Sequence, residues 1–253
     1  MGGHGRAATM STCETLIAAG TDCGNFEGRK MEKIFILLAI FTMELFSRAD
    51  LIIQQQGISD GVTNNVTVSI HENWKREDVV SDQIGQFSII NDMNTFDQTI
   101  LEFKTKTFRI TSGSKVKEFI RKSEDNSGDK NTVSEPSDTG MRERVGEFET
   151  KIFIWTNGKN ITNRLWVAQN YPNYDAIKPC LLRLDEFRRQ GLDKMNEPPV
   201  AGLPGMVVKK EQIIRGQSGV VKLIATKTEP VEASLFEIPS GYTEYKSQTT
   251  RSP

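Results

Sequence analysis

Cysteine and histidine are the scarcest chemistry-bearing residues of this chain, with three and two in 253 residues. Cys13, Cys23 and His4 all precede residue 30, so beyond it stand only Cys180 and His71. An internal disulfide after that point is therefore excluded, and no second His or Cys lies at metal-ligand spacing from His71. A Gly-rich phosphate loop, a nucleophile elbow and a paired zinc motif are all absent, and no internal repeat is visible. Charge of one sign is lacking too. Thirty-two Lys and Arg face 33 Asp and Glu, a net charge of -1, which gives no electrostatic reason to expect nucleic acid or an anionic membrane surface as partner. Long apolar runs are missing as well: Ile34 to Met43 spans 10 residues, where a transmembrane helix needs roughly 20.

What remains is the composition of a globular protein, 37% hydrophobic and 26% charged, in a chain long enough to bury a sizeable core without staples. The run Ile34 to Met43 follows Lys33 and precedes Ser47-Arg48-Ala49, with small residues at the two positions a signal peptidase inspects. This layout predicts a signal peptide over 31–49, cleaved after Ala49, with an exported mature chain from Asp50. The alternative for the same run is a buried or uncleaved anchoring helix. A signal peptide starts close to its initiator, so Met31 is the expected start and residues 1–30 an extension of doubtful standing. No Cys stands near the cleavage point, which argues against lipoprotein acylation there.

From Asp50 the pattern is that of strands. "DLIIQQQ" reads as a short strand and Gly57 to Asn65 as a turn. Val66, Val68 and Ile70 then alternate with polar neighbours, at period two. "GQFSIINDMNTFDQTILEFKTKTFRIT" predicts two strands around the bend Asn91 to Asp97, with Phe103, Thr105, Thr107 and Phe108 favouring strand. A helix is expected over Ser114 to Lys122. Ser123 to Gly140 lacks aromatics and is rich in Ser, Asp and Asn, the composition of an exposed flexible loop. "GEFETKIFIWTNGKNITNRLWVAQN" is the clearest hairpin, turning at Asn157-Gly158, with Leu165 and Val167 on one face and Trp166 on the other. The main helix is predicted over Tyr174 to Met195. Ile177, Leu181, Leu184 and Phe187 follow helical spacing there, Cys180 shares their stripe, and Gly191 ends or breaks the helix. Two closing strands follow, Met206 to Arg215 and Val220 to Thr228. Strands, helix and more strands joined by hairpins predict an antiparallel α+β domain over 50–245, with 246–253 a disordered tail.

The stretch "GLPGMVVKKEQ" followed by "TKTEPVEASLFEIPSGYTEY" resembles the carboxy-terminal signature of a bacterial family of exported proteins, domain of unknown function 4412. "KIFIWTNGKNITNRLWVA" is similar to the preceding strand pair of that family. The family in turn is similar to the lipoprotein carriers LolA and LolB. The resemblance implies a curved antiparallel sheet, an incomplete barrel, with helices packed on its concave face and an apolar cavity that holds acyl chains. It brings no catalytic residues. The physical reading gives the final motif a structural role, a closing latch in which Leu235, Phe236 and Ile238 plug an apolar face and Tyr242 packs back.

Each sharper chemical reading has a plainer competitor. His71-Glu72 could serve as a metal or acid–base pair, but a lone His is a solvent-facing strand residue more often. Cys180, among apolar helix positions, reads as a small buried hydrophobe rather than a nucleophile. Asp185-Glu186 and Arg188-Arg189 read as solvated helix pairs. Asn65-Val66-Thr67 and Asn160-Ile161-Thr162 match the short glycosylation pattern, which recurs by chance.

The expected protein is thus a non-catalytic envelope protein with no metal and no cofactor. Its expected partner is a lipid, a lipoprotein or another hydrophobic ligand. The competing class is an envelope interaction module with a filled core. If there is a cavity, Ile177, Leu181, Leu184 and Phe187 line its helix side, and Ile154, Trp166 and Val208 its sheet side. Alternation alone does not say which face is concave. A pocket of about 300 Å³ or more would favour a ligand over a filled core.

Overall fold

The dipeptide Asp60-Gly61 sets the first pairing of the fold. Both residues have positive φ, 50° and 78°, which suits the tight two-residue hairpin turn whose twist matches the flanking strands. Strand β1 (Leu51–Ser59) therefore runs directly into β2 (Val62–His71), paired from Leu51 opposite Ile70 to Ser59 opposite Val62. The turn expected over Gly57 to Asn65 shrinks to these two residues. The computed structural model describes residues 50–127, 135–157, 161–191, 197–200, 202–214 and 216–245. The expected extension over 1–30, the signal peptide over 31–49 and the tail over 246–253 lie outside the described residues. So do the middle of the expected loop, 128–134, and Gly158 of the expected hairpin turn.

The meander continues through β3 (Trp74–Ser81), β4 (Gly85–Asp92), β5 (Gln98–Glu102) and β6 (Thr107–Thr111). Here the two expected strands become three, because a turn with Lys106 at positive φ interrupts the chain after Glu102. Helix α1 (Gly113–Ser127) begins one residue before the expected helix and runs five beyond it, and β7 (Ser137–Val145) starts within the expected loop. Both ends of that loop are thus helix and strand. A second meander follows: β7, β8 (Phe148–Asn157), β9 (Ile161–Ala168), then β10 (Met206–Ile214) and β11 (Gln217–Lys227). Strand β11 pairs antiparallel with β1, which joins the two meanders edge to edge. The short β12 (Thr243–Glu244) adds to β6 in parallel. The result is one curved twelve-stranded sheet in the order β12-β6-β5-β4-β3-β2-β1-β11-β10-β9-β8-β7. All its other pairings are antiparallel, and it is not closed, since β7 and β12 do not pair. Residues are inserted near Ile224 of β11 and Val208 of β10; such bulges bend a strand and increase its twist.

Helix α2 (Tyr174–Gln190) lies between β9 and β10 in sequence. Asp175 in its first turn and Arg188 and Arg189 in its last complement the helix dipole. It ends at Gly191, whose N–H binds the Arg188 carbonyl, so it stops short of the expected Met195. Pro179 sits inside the helix and deprives it of one backbone hydrogen bond. Ile177, Cys180 and Leu184 are buried against Leu51, Ile53, Val68 and Ile70 of β1 and β2 and against Met206 and Val208 of β10, in the largest core cluster. Val66 packs against the same cluster, so the alternation of Val66, Val68 and Ile70 serves one buried face. At β9 both faces are covered. Trp166 and Ala168 belong to the α2 cluster, whereas Leu165 and Val167 pack with Phe153 and Leu203. Gly205 ends the link into β10. A Cβ there would stand well inside 3.0 Å of the Ala168 carbonyl oxygen, so only glycine allows this approach.

After β11 the chain returns across the first meander. Val231 and Phe236 are buried with Ile90 and Leu101, and Leu235 and Tyr242 pack beside them. Phe103 meets Tyr242 edge to face at 6.2 Å. Burying a side chain of this kind stabilises by about 1.5–3 kcal/mol. Ile238, expected to help plug this face, is exposed instead. Polar bonds hold the segment down. The Val231 N–H donates to Asp50 Oδ2 at 2.8 Å, and His71 Nδ1 donates to Asp50 Oδ1 at 2.9 Å. His71 stacks on Phe236 with centroids 5.9 Å apart. It is therefore a half-buried part of the latch rather than a solvent-facing strand residue. Arg76 donates to the Leu235 carbonyl, to Ser88 Oγ at 3.1 Å and to both oxygens of Asp78 at 2.9 and 3.1 Å.

Candidate functional site

The interior next to α2 is not completely filled. A cavity of about 210 Å³ lies between the helix, β1, β10 and the link around Glu197 to Val200. Leu181 and Leu184 form its helix wall, and Ile53, Val68, Val208 and Leu223 are among its strand residues. Leu182, beside Leu181 on α2, also lines it and is 40% exposed, an apolar residue in contact with both cavity and solvent. The volume falls below the roughly 300–1,000 Å³ of pockets that enclose a whole small-molecule ligand. The size expected to favour a ligand over a filled core, about 300 Å³ or more, is therefore not reached.

Of the seven residues expected to line a cavity, Leu181, Leu184 and Val208 do so. Ile177 lies in the same core cluster, fully packed, and outside the cavity. Trp166 is also buried outside it. Its Nε1 donates to Glu143 at 2.8 Å, and the Lys209 ammonium sits 3.8 Å from the ring centroid. Ile154 is half-buried opposite Arg164 on β9 and joins no part of the cavity. Phe187 faces a different space and stacks on Phe96 with centroids 5.1 Å apart. The reason is rotational. Along α2, at 3.6 residues per turn, Ile177 lies between Leu184 on one side and Leu181 on the other, and Phe187 has turned further round towards β3 and β4.

The rim of the cavity is charged. Lys178 and Arg188 of α2 and Lys209 and Lys210 of β10 line it, with Glu197 as the carboxylate among the lining residues. Lys210 Nζ holds both oxygens of Glu197, at 2.6 and 2.8 Å. The Arg188 Nε is buried without a hydrogen-bond partner. Its neighbours on the helix are not uniformly solvated either. Asp185 is buried, accepts from Arg189 at 2.9 Å and caps the Val200 N–H at 3.2 Å, so it ties the link to α2. The expected solvated pairs are therefore partly structural and partly cavity rim. Arg188 and Lys178 carried a signal that periodicity could have found, since both lie on the Leu181 side of the helix.

Other titratable groups have structural surroundings. Cys180 is buried, and burial pushes its thiol up, against a smaller downward pull from Arg183, whose guanidinium lies 3.8 Å from the sulfur. Thiolate chemistry is disfavoured there. Lys75 is buried and pairs with Glu77 at 2.8 Å beside a smaller cavity of about 130 Å³ that Phe96 and Phe187 help to line. Burial pushes the Glu77 carboxyl up, but the charge and hydrogen bond of Lys75, aided by the Arg188 charge, bring it below the ordinary carboxylate range. Among the described residues no cluster of three His, Cys, Asp or Glu side chains could hold a metal ion. No described helix is long and apolar enough to cross a membrane.

Comparison with known proteins adds a family and a set of distant likenesses. The family model described as a domain of unknown function, DUF4412, matches residues 52–242. Among solved structures, the chain is similar to an uncharacterized conserved protein from Thermus thermophilus, at 6% identity and a TM-score of 0.47, over 83% of this chain and 98% of that one. It is similar to the lipoprotein LppX of Mycobacterium tuberculosis at 12% identity and a TM-score of 0.40, over 78% of this chain and 97% of that one. A DUF1329 family protein from Desulfovibrio piger matches at 11% identity and a TM-score of 0.29, over 81% of this chain and 96% of that one. None of the curated proteins matches.

Proposed function

The chain belongs to the DUF4412 family, and from that premise we propose that it is an exported, non-catalytic binding protein that shelters the apolar end of a lipid, lipoprotein or similar ligand beside α2. The observation that carries this reading is the cavity of about 210 Å³ walled by Leu181, Leu184, Val208 and Leu223, with the exposed Leu182 beside it. An unfilled apolar space in a close-packed protein loses contacts on every wall, and an acyl chain restores them. The reading takes the α2 side of the sheet as its concave side. It assigns no chemistry to His71, which is engaged by Asp50, or to Cys180, whose thiol is buried.

The competing reading is an envelope interaction module with a filled core. The burial of Ile177 and Trp166 supports it, because they pack directly without a ligand. One experiment separates the two. Protein stripped of lipid should take up the neutral dye Nile red, and Leu181→Trp, which projects an indole into the cavity, should lose that uptake. Leu181 is only half-buried, so the change should cost less than the roughly 1–3 kcal/mol of overpacking a filled core. Absence of uptake by the parent protein, with clear destabilisation of the variant, would favour the filled-core module.

A further inference from the structure

The cavity beside α2 differs from an ordinary packing defect in the charge of its rim. Four cationic side chains line it with a single carboxylate, Glu197, which is already held by Lys210. Lys209 lies against the Trp166 ring and 3.8 Å from Glu143. Lys178 and Arg188 remain. They are ten residues apart on α2, about 15 Å at the helix rise, with Leu181 and Leu184 between them. Arg188 acts on Glu77, but that carboxylate already has Lys75 at 2.8 Å. The Arg188 Nε is buried and makes no hydrogen bond. The Nε itself is closed off, and the Arg188 side chain as a whole is half-buried at the cavity, so an anion supplied by a ligand would meet the outer part of its guanidinium.

We propose that the ligand is a single-chain anionic amphiphile, a long-chain carboxylate. Its head accepts hydrogen bonds from Arg188, and its tail enters the cavity along Leu181, Leu184 and Val208. This rests on the apolar-cavity reading above and adds the head group to it. Guanidinium and carboxylate match as a planar two-point pair, and the limited volume of the cavity suits one chain end rather than two.

The test compares three probes of equal tail length on lipid-free protein: dodecanoate, dodecanol and dodecyltrimethylammonium, each by displacement of Nile red. Dodecanoate should bind about tenfold or more tighter than dodecanol, the contribution of one charge-assisted hydrogen bond, and the ammonium probe should bind most weakly. Arg188→Gln should remove most of that advantage, read as a fall in the ratio of dodecanoate to dodecanol affinity within the folded variant. Arg188→Lys, which keeps the charge but not the fork, should retain part of it. Equal affinity for dodecanoate and dodecanol, or undiminished dodecanoate binding by folded Arg188→Gln, overturns the head-group assignment and leaves the apolar cavity standing. Failure of all three probes to bind overturns the cavity reading and this proposal with it.

Discussion

Arg76 offers the most direct test of how the carboxy-terminal latch is held. Replacing it with Met preserves much of the aliphatic stem and removes the guanidinium. Three partners lose it at once: the Asp78 carboxylate, Ser88 Oγ and the Leu235 carbonyl. Breaking a buried ion pair from one side costs about 3–5 kcal/mol. Asp78 retains 24% exposure and can be partly rehydrated, which places the expected loss at the low end, about 3 kcal/mol. For a domain of this size each kcal/mol shifts the melting temperature by about 2–4 °C, so a fall of about 6–12 °C is expected. Asp78→Asn and the double variant complete a cycle, in which the double loss should be smaller than the sum of the singles by about 1 kcal/mol or more. Amide hydrogen exchange supplies the local readout. The N–H of Tyr242 binds the Pro239 carbonyl and that of Glu237 the Ser234 carbonyl, and both should exchange faster in Arg76→Met while β8 and β9 stay protected. A melting temperature within about 1 °C of the parent, far below the effect expected from a buried pair, would refute the reasoning. Unchanged exchange across Val231 to Tyr242 would refute the claim that Arg76 fastens the latch.

Gly205→Ala should destabilise strongly, because the added methyl meets the Ala168 carbonyl; thermal unfolding beside a Gly202→Ala control, where the nearest atom is 3.8 Å away, gives the comparison. Glu77 has its carboxyl held below the ordinary range, chiefly by Lys75 against the cost of burial. Its contribution is therefore present above the unfolded carboxylate pKa and is lost as pH falls through the lower folded value. Urea unfolding of Glu77→Gln against the parent should show a deficit at neutral pH that narrows on acidification below about pH 4; a constant deficit counts against the pairing. Leu184→Ala should cost about 2–5 kcal/mol by denaturant unfolding, given its place in the largest core cluster. Expressed from Met31 in a host with a periplasm, the protein should be recovered there with Asp50 as its first residue; an intact Met31 on soluble cytoplasmic protein would contradict export.

Local features of the chain determine their own short-range consequences, and these were legible. Alternation at Val66, Val68 and Ile70 specifies a shared buried face, and they have one; that the opposite face is covered too at Ser69 and His71 was not legible there. The spacing of Ile177, Cys180 and Leu184 specifies a helical stripe, and Gly191 ends it. The final motif reads as a latch from its apolar residues and its Pro-Ser-Gly turn, and Leu235, Phe236 and Tyr242 pack as one. Overlapping local signals hide element ends. Polar residues on both sides of Asp60-Gly61 extend the apparent turn over Gly57 to Asn65, and the polar stretch after Lys122 conceals one helical turn and the start of β7.

Tertiary structure alone decided the long-range pairings. Nothing local in Ile52 or Lys227 says that β1 meets β11, because strand periodicity describes which side a residue faces and not which strand lies beside it. The same limit separates the residues that fill the core from those that line the cavity. Ile177 and Leu181 share one helical stripe, yet a modest rotation packs the first and leaves the second at an open space. Arg188 shows it most clearly. In sequence it is one charge of an ordinary helix face, and only the arrival of the 197–200 link and β10 places it at the rim of an apolar cavity with an unpartnered Nε.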